Sequence, residues 1–179
     1  MDKLLLKSGL IIGLMAGFFL VLLFFTLFSI GTSFTSLMYD VDLGLIIFFI
    51  FISLIYFRDY KNYQEMKFTQ GLITGGVSTV VSSSIVAMFI IVFLTYIYPE
   101  ALHEDVKRSI GELMNINKKG ENIYISLYGQ KEFDLQIEAF KTVTVGQLAI
   151  KKFLSISIVG FIFTLVLSIF LRKKHDTNA

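Results

Sequence analysis

Four long apolar runs dominate the hydrophobic pattern of this chain, and each keeps charged residues away from its middle. The runs cover residues 9–30, 41–57, 69–98 and 147–171. A helix needs about 20 apolar residues to cross a bilayer core about 30 Å thick. Three runs meet this length, and the second meets it if its helix begins near Met38 or if Tyr56 and Tyr60 lie at the interface. The pattern predicts an all-α integral membrane protein, a four-transmembrane-helix bundle formed by residues 1–98 and 145–172.

The first run also has the layout of a secretory signal peptide, because Lys3 and Lys7 precede it. Its length of about 22 apolar residues exceeds the roughly 7–15 of a signal-peptide core. The stretch that follows, residues 31–33, is a poor cleavage site. We therefore interpret this run as an uncleaved first span.

The polar stretch between the third and fourth runs, residues 99–144, is expected to form a small helical or mixed insertion outside the membrane. Pro99 ends the third span and suits the first position of a new helix. Apolar residues then recur at helical spacing and predict an amphipathic helix that ends at Gly120. They are Leu102, Val106, Ile110 and Leu113. The apolar face of this helix could bind a partner, rest on the membrane or cap the bundle.

The second half of the insertion has shorter signals. Apolar and polar residues alternate over residues 123–128 and predict a strand. Residues 133–143 fit a helix or a strand, and we favour a short helix. Thr144 followed by Gln147 has the spacing of a capping box and predicts the start of the last span.

Lysine and arginine are unevenly distributed among the short polar stretches, and this distribution predicts membrane orientation. The N-terminus, the second connection and the C-terminal tail carry them, at Lys3, Lys7, Arg58, Lys61, Lys67, Arg172, Lys173 and Lys174. The first connection has Asp40 and Asp42 and no basic residue. We expect cytoplasmic termini, an extracytoplasmic insertion and a cytoplasmic tail at residues 173–179. Lys151 and Lys152 lie early in the last span and are expected to extend to the interface.

Small residues recur at four-residue spacing on three of the predicted spans. They are Gly9, Gly13 and Gly17 on the first span, Gly71, Gly75, Thr79 and Ser83 on the third, and Gly160, Thr164 and Ser168 on the fourth. In the expected orientation all three groups fall in the cytoplasmic half of the membrane. This spacing lets helix backbones approach closely in lipid. We interpret these residues as a helix-packing site.

The same region has a second interpretation, because hydroxyl side chains gather there. Six of them could line a polar cavity open to the cytoplasm: Thr74, Ser78, Thr79, Ser82, Thr164 and Ser168. A pathway for ions or protons normally has an ionisable residue inside a span. None lies near the middle of these spans, so close packing is the preferred interpretation and a cavity is the alternative.

Composition excludes several kinds of chemistry. Cysteine is absent, which rules out disulfides, thiolate metal sites and cysteine nucleophiles. His103, Glu104 and Asp105 are metal-binding residue types, but neighbours on a helix point apart, so we expect no metal or cofactor. Serine alone in a span lacks a catalytic base, and we therefore predict that the protein is not an enzyme. The net charge of +2 gives no reason to expect nucleic acid as a partner.

Several short stretches resemble those of a known family. They are Tyr56-Phe57-Arg58-Asp59-Tyr60, Phe68-Thr69-Gln70-Gly71 with Gly75, and Tyr98-Pro99-Glu100 before a charged insertion. Together they resemble a bacterial family of small four-span membrane proteins that is catalogued only as a domain of unknown function. Asn62-Tyr63-Gln64-Glu65 stands where the family pattern has glycines. The resemblance implies four helices and a bacterial inner-membrane location, and it implies no activity.

These observations predict a non-enzymatic membrane protein, a scaffold, assembly factor or accessory subunit that acts through helix packing and its insertion. The lipid bilayer is its environment, and a second copy or another membrane protein is the expected partner. The alternative is a small-solute or ion transporter or channel, oligomeric, with a Ser/Thr-lined inner cavity. The run Arg172-Lys173-Lys174 suits anionic lipid headgroups or a simple stop-transfer flank.

Overall fold

The computed structural model describes residues 3–29, 38–114 and 122–172, without the side chains of residues 38–42 and 112. Within these ranges the chain forms helices and no strand. The α-helices are α1 (Lys3–Ser29), α2 (Met38–Ile55), α3 (Phe68–Val92), α4 (Glu100–Leu113), α5 (Ile123–Tyr128), α6 (Gln130–Thr142) and α7 (Val145–Leu171).

In the described ranges, four helical segments are long and apolar enough to cross a membrane, as the hydrophobic pattern predicted. Short π-helical segments extend α2 through Tyr56–Lys61 and α3 through Phe93–Ile97. With them, the candidate spans are Lys3–Ser29, Leu43–Lys61, Phe68–Ile97 and Val145–Leu171. The helical four-span fold class is confirmed, and α2 begins at Met38, one of the two ways in which the sequence allowed the second span to be completed.

Helix α3 lies at the centre of the bundle. It makes its most extensive contacts with α1 and α7, and α2 contacts all three of these helices. Gly9 and Gly17 of α1 meet successively later residues of α3, so these two helices run parallel. Gly71 and Gly75 of α3 meet successively earlier residues of α7, so that pair is antiparallel. The starts of α1 and α3 and the end of α7 therefore share one end of the bundle, named here the basic end; the opposite end is the insertion end.

The α1–α3 contact changes character along its length. Glycines of α1 face α3 near the basic end, whereas both helices contribute phenylalanines nearer the insertion end. The ring centroid of Phe24 lies 5.2 Å from that of Phe89 and 5.1 Å from that of Phe93. The Phe28 ring lies 5.3 Å from the Phe93 ring. These edge-to-face separations are favourable, and the rings require a wider helix separation than the glycines do.

The last span begins at the capping box that the sequence predicted. The Thr144 hydroxyl accepts a hydrogen bond from Gln147 N at 3.2 Å. In return, Gln147 Oε1 accepts one from Thr144 N at 2.9 Å. Thr144 has the extended backbone typical of an N-cap residue. This prediction is confirmed, and the box separates the insertion from α7.

The strand predicted at residues 123–128 is wrong, because helix α5 occupies them. Asn122 Oδ1 accepts a hydrogen bond from Ile125 N at 3.1 Å and caps the helix. Gly129, with φ of 87°, ends it. Between the two caps, Tyr124 and Tyr128 are four positions apart and their ring centroids lie 4.8 Å apart. Alternation over six residues is too short to outweigh caps at both ends.

The remaining predictions for the insertion have separate outcomes. Helix α6 confirms the short helix expected in its second half. Helix α4 begins at Glu100, so Pro99 precedes the helix and is not its first residue. Gly120, the predicted end of that helix, lies outside the described residues.

Candidate functional site

The small residues that the sequence singled out are all buried, and they lie along two contacts of α3. On α1 they are Gly9, Gly13 and Gly17, on α3 Gly71, Gly75, Thr79 and Ser83, and on α7 Gly160, Thr164 and Ser168. The first contact, the α1–α3 seam, is formed by the glycines of α1 against α3. The second, the α3–α7 seam, is formed by the small residues of both its helices.

In the α3–α7 seam, each glycine faces a larger side chain of the opposite helix. A methyl group placed on Gly75 would lie 2.6 Å from Thr164 Cγ2, and one on Gly71 would lie 2.6 Å from Ser168 Oγ. A methyl group on Gly160 would collide with Thr79 Cγ2. The threonines of the two helices therefore occupy each other's glycine notches, and no room for an added carbon remains at these positions.

This alternation specifies the register of α3 against α7. Moving α7 by one helical turn, about 5.4 Å, in one direction would place Thr79 opposite Thr164. Moving it one turn in the other direction would place Thr79 opposite Ile156. Of these three registers, only the observed one sets both threonines against glycine.

In the α1–α3 seam, the glycines of α1 approach the backbone of α3. A methyl group on Gly9 would lie 2.5 Å from the carbonyl oxygen of Thr74, and one on Gly13 would lie 2.8 Å from that of Ser78. Such close approach is the usual consequence of small residues at four-residue spacing, and it suits weak Cα–H···O contacts. At Gly17 the neighbour changes to the Ile85 side chain, 2.7 Å from the methyl position.

Several buried hydroxyls in this region are satisfied within the protein. Thr79 Oγ1 donates to the carbonyl oxygen of Gly75 at 2.9 Å, and Ser82 Oγ donates to that of Thr79 at 3.0 Å. Across the α3–α7 seam, Ser157 Oγ donates to Ser83 Oγ at 3.0 Å. Hydroxyls bonded to their own helix need no water, so these residues are compatible with a dry interior.

Other buried hydroxyls have no hydrogen-bond partner among the described residues. They belong to Ser53 of α2, Thr74 and Ser78 of α3, and Thr164 and Ser168 of α7. The oxygens of Thr164 and Ser168 lie in the glycine notches of α3. A buried unpaired hydroxyl typically costs about 1–3 kcal/mol. Ser53 was missed from the sequence, where its only signal was a single hydroxyl inside an otherwise apolar run.

Two ionisable side chains toward the insertion end are buried. Lys152 of α7 is only 7% exposed, whereas Lys151 beside it is exposed. The sequence did not predict this burial, and the expectation that Lys151 and Lys152 extend to the membrane interface stays a prediction. Asp105 of α4 is also buried, and both residues make interactions within the protein, as buried charges must.

The three metal-binding residue types on α4 do not converge. His103 and Glu104 are exposed, and Asp105 is buried on another side of the helix. The Tyr98 hydroxyl donates a hydrogen bond to Glu104 Oε1 at 2.9 Å, and this bond raises the pKa of Tyr98 because it favours the protonated phenol. In the described part of the chain, no three His, Asp or Glu side chains could hold a metal ion together.

The described charges at the basic end are mostly positive. The basic residues are Lys3, Lys7, Arg58, Lys61, Lys67 and Arg172, and the acidic ones are Asp59 and Glu65. Arg58 Nε lies 2.6 Å from Asp59 Oδ1, and Lys61 Nζ lies 5.5 Å from the centroid of the Tyr56 ring. This cation–π distance is a favourable one.

The connection at the basic end contains an unusual backbone. Tyr63 and Gln64 both have positive φ, 52° and 64°, a region that glycine adopts easily and other residues adopt at a cost. Asn62 Nδ2 stabilises the turn by donating to the carbonyl oxygen of Glu65 at 2.7 Å.

The fold and its two glycine seams define a multi-pass membrane protein with a helical insertion. The chain belongs to the family described as Protein of unknown function (DUF4199), which matches residues 7–173. The resemblance noted from the sequence is thereby confirmed at the level of the family. No curated protein and no solved structure matches the chain.

Proposed function

We propose that this protein is a non-enzymatic structural or accessory subunit of a membrane assembly. Its spans form a closely packed bundle, and its helical insertion is the part through which it would contact other proteins. The observation that carries the proposal is the fit of Thr164 against Gly75 and of Thr79 against Gly160. These side chains fill the space between α3 and α7 that a polar pathway through the bundle would need.

The charge distribution supports an orientation for the bundle. Lysine and arginine favour the cytoplasmic side of a membrane protein, and the described charges at the basic end are mostly positive. We therefore place the basic end, with both termini, in the cytoplasm and the insertion outside, in a bacterial inner membrane. A protease added to sealed inverted vesicles should cut at the basic end and spare the insertion, and the opposite pattern would contradict the orientation.

Purification in mild detergent tests the accessory role. A subunit of an assembly should be recovered with a stoichiometric membrane-protein partner or as a homo-oligomer. Recovery as a monomer with no partner, from cells that express it at its native level, would contradict the role.

A second candidate function is transport of a small solute or ion through an oligomer. The unpartnered buried hydroxyls favour it, since Thr74 and Ser78 would be satisfied by water or a solute in a cavity. The two candidates differ in whether water reaches these side chains from the basic end.

Cysteine accessibility distinguishes the two candidates in this cysteine-free chain. Tyr63→Cys, at a side chain 94% exposed, serves as the positive control. In a packed bundle, Ser78→Cys should resist a charged, membrane-impermeant thiol reagent until the protein is denatured. Modification of Ser78→Cys at a rate close to that of Tyr63→Cys would favour transport and contradict the packed bundle.

A further inference from the structure

Helix α5 is an apolar element in a charged part of the molecule. Its six residues read Ile-Tyr-Ile-Ser-Leu-Tyr, with no charge and no buried side chain. Leu127 is 69% exposed and Tyr128 is 62% exposed. By contrast, its neighbours α4 and α6 are rich in Asp, Glu, Lys and Arg. The rest of the described chain therefore leaves the apolar surface of α5 uncovered.

Among the described residues, α5 is packed against protein on one side only. The Tyr124 ring centroid lies 6.3 Å from that of Phe133 in α6, and the Tyr128 ring packs on Tyr124. Ile123 and Leu127, four positions apart on one helix face, are both exposed. An apolar face with tyrosines beside it is the composition that favours the interface between lipid and water.

The insertion is attached to the membrane spans by short connections at both ends. The third candidate span ends at Ile97 and α4 begins at Glu100. At the other side α6 ends at Thr142 and α7 begins at Val145. These short connections hold the start of α4 and the end of α6 close to the bilayer surface.

We propose that α5 lies in the headgroup layer of the bilayer at the insertion end, with Ile123, Leu127 and Tyr128 in contact with lipid. A second copy of the chain is the competing occupant. Large side chains bury about 150–250 Å² each at most, so three of them provide less than the roughly 800 Å² per partner of a standard stable interface. The bilayer lies beside the two short connections of the insertion, and lipid contact requires no minimum area.

Single-tryptophan fluorescence tests this proposal, because the chain contains no tryptophan. Leu127→Trp is prepared in the full chain and reconstituted in phosphatidylcholine vesicles with and without brominated acyl chains. Glu132→Trp, at an exposed position in the first turn of α6, is the control for water. Ile162→Trp, on the exposed face of α7, is the control for lipid.

Lipid contact predicts blue-shifted emission from Leu127→Trp and loss of a large part of its intensity in brominated vesicles, between the values of the two controls. Emission and acrylamide quenching equal to those of Glu132→Trp would overturn the proposal. A blue shift without quenching by brominated lipid would overturn it in favour of a protein occupant. Tyr128→Trp is a second, more conservative variant with the same expectations, should Leu127→Trp fold poorly.

Discussion

The side chain of Thr164 in α7 fills a notch in α3 whose floor is Gly75. A methyl group on Gly75 would lie 2.6 Å from Thr164 Cγ2 and 2.8 Å from Thr164 Oγ1. One turn along, Thr79 fills the equivalent notch at Gly160. Because each helix supplies both a threonine and a glycine, the seam specifies a single register, and the consequences of altering it can be stated residue by residue.

Adding one methyl group at the seam should destabilise the bundle. Gly75→Ala overpacks the notch and should reduce stability by about 1–3 kcal/mol. Gly44→Ala in α2 is the matched control, since nothing lies within 4 Å of a methyl group there, and it should be neutral or slightly stabilising. Thermal unfolding of the purified protein in detergent measures both; equal transition temperatures for the two variants would contradict the packed notch.

Two hydroxyls of the seam should respond differently to removal. Ser157→Ala loses the bond to Ser83 across the helices, and hydrogen bonds between membrane helices contribute about 0.6 kcal/mol on average. Thr164→Val keeps the side-chain shape and removes a hydroxyl without a described partner, so it should be neutral or stabilising. A larger loss in Thr164→Val than in Ser157→Ala, by the same unfolding assay, would indicate a bound water or solute at Thr164.

The aromatic half of the α1–α3 contact should be sensitive to truncation. Phe93 is buried and its ring lies within 5.7 Å of three rings of α1, those of Phe24, Phe25 and Phe28. Phe93→Ala should reduce stability by about 3–5 kcal/mol. Phe170→Ala, at a position 79% exposed on α7, should change it little. Chemical unfolding in mixed micelles compares them, and similar losses in both variants would contradict this packing.

The turn at the basic end should accept glycine. Gln64 has φ of 64°, a conformation that costs a residue with a Cβ roughly 1–2 kcal/mol. Gln64→Gly removes this cost. The glycine also increases the conformational entropy of the unfolded chain, which lowers stability by about 0.5–1 kcal/mol. The variant should therefore unfold at the same or a higher temperature than the parent protein. Gln70→Gly, inside α3, is the opposite control and should be destabilising.

Much of the fold could be predicted from the hydrophobic pattern, because spans in lipid must be long, apolar and helical. The cap of α7 was also readable, since Thr144 and Gln147 form a local motif. The helical structure of α5 could not be predicted, because six residues are too few to distinguish the period of a helix from that of a strand. The two caps that favour the helix are single residues. The burial of Lys152 depends on neighbouring elements, which the local sequence does not reveal.

The candidate site was only partly readable from the sequence. Four-residue spacing predicts that a helix has a face of small residues, but it does not indicate which other helix packs against that face. Gly9 and Gly71, at similar depth, do not face each other: Gly9 meets Thr74, and Gly71 meets Ser168. The two seams use different sides of α3, and that division follows from the packing of whole helices.

A double-mutant cycle between Gly75 and Thr164 tests the central claim most directly. Gly75→Ala alone introduces a collision and Thr164→Ala alone leaves a void, so each should lower the free energy of unfolding. In the combined variant the new methyl group occupies the space that Thr164 vacates. We predict that it is more stable than Gly75→Ala, with a coupling free energy of about 1 kcal/mol or more. Additivity of the two single effects within about 0.3–0.5 kcal/mol would contradict the interlocked seam.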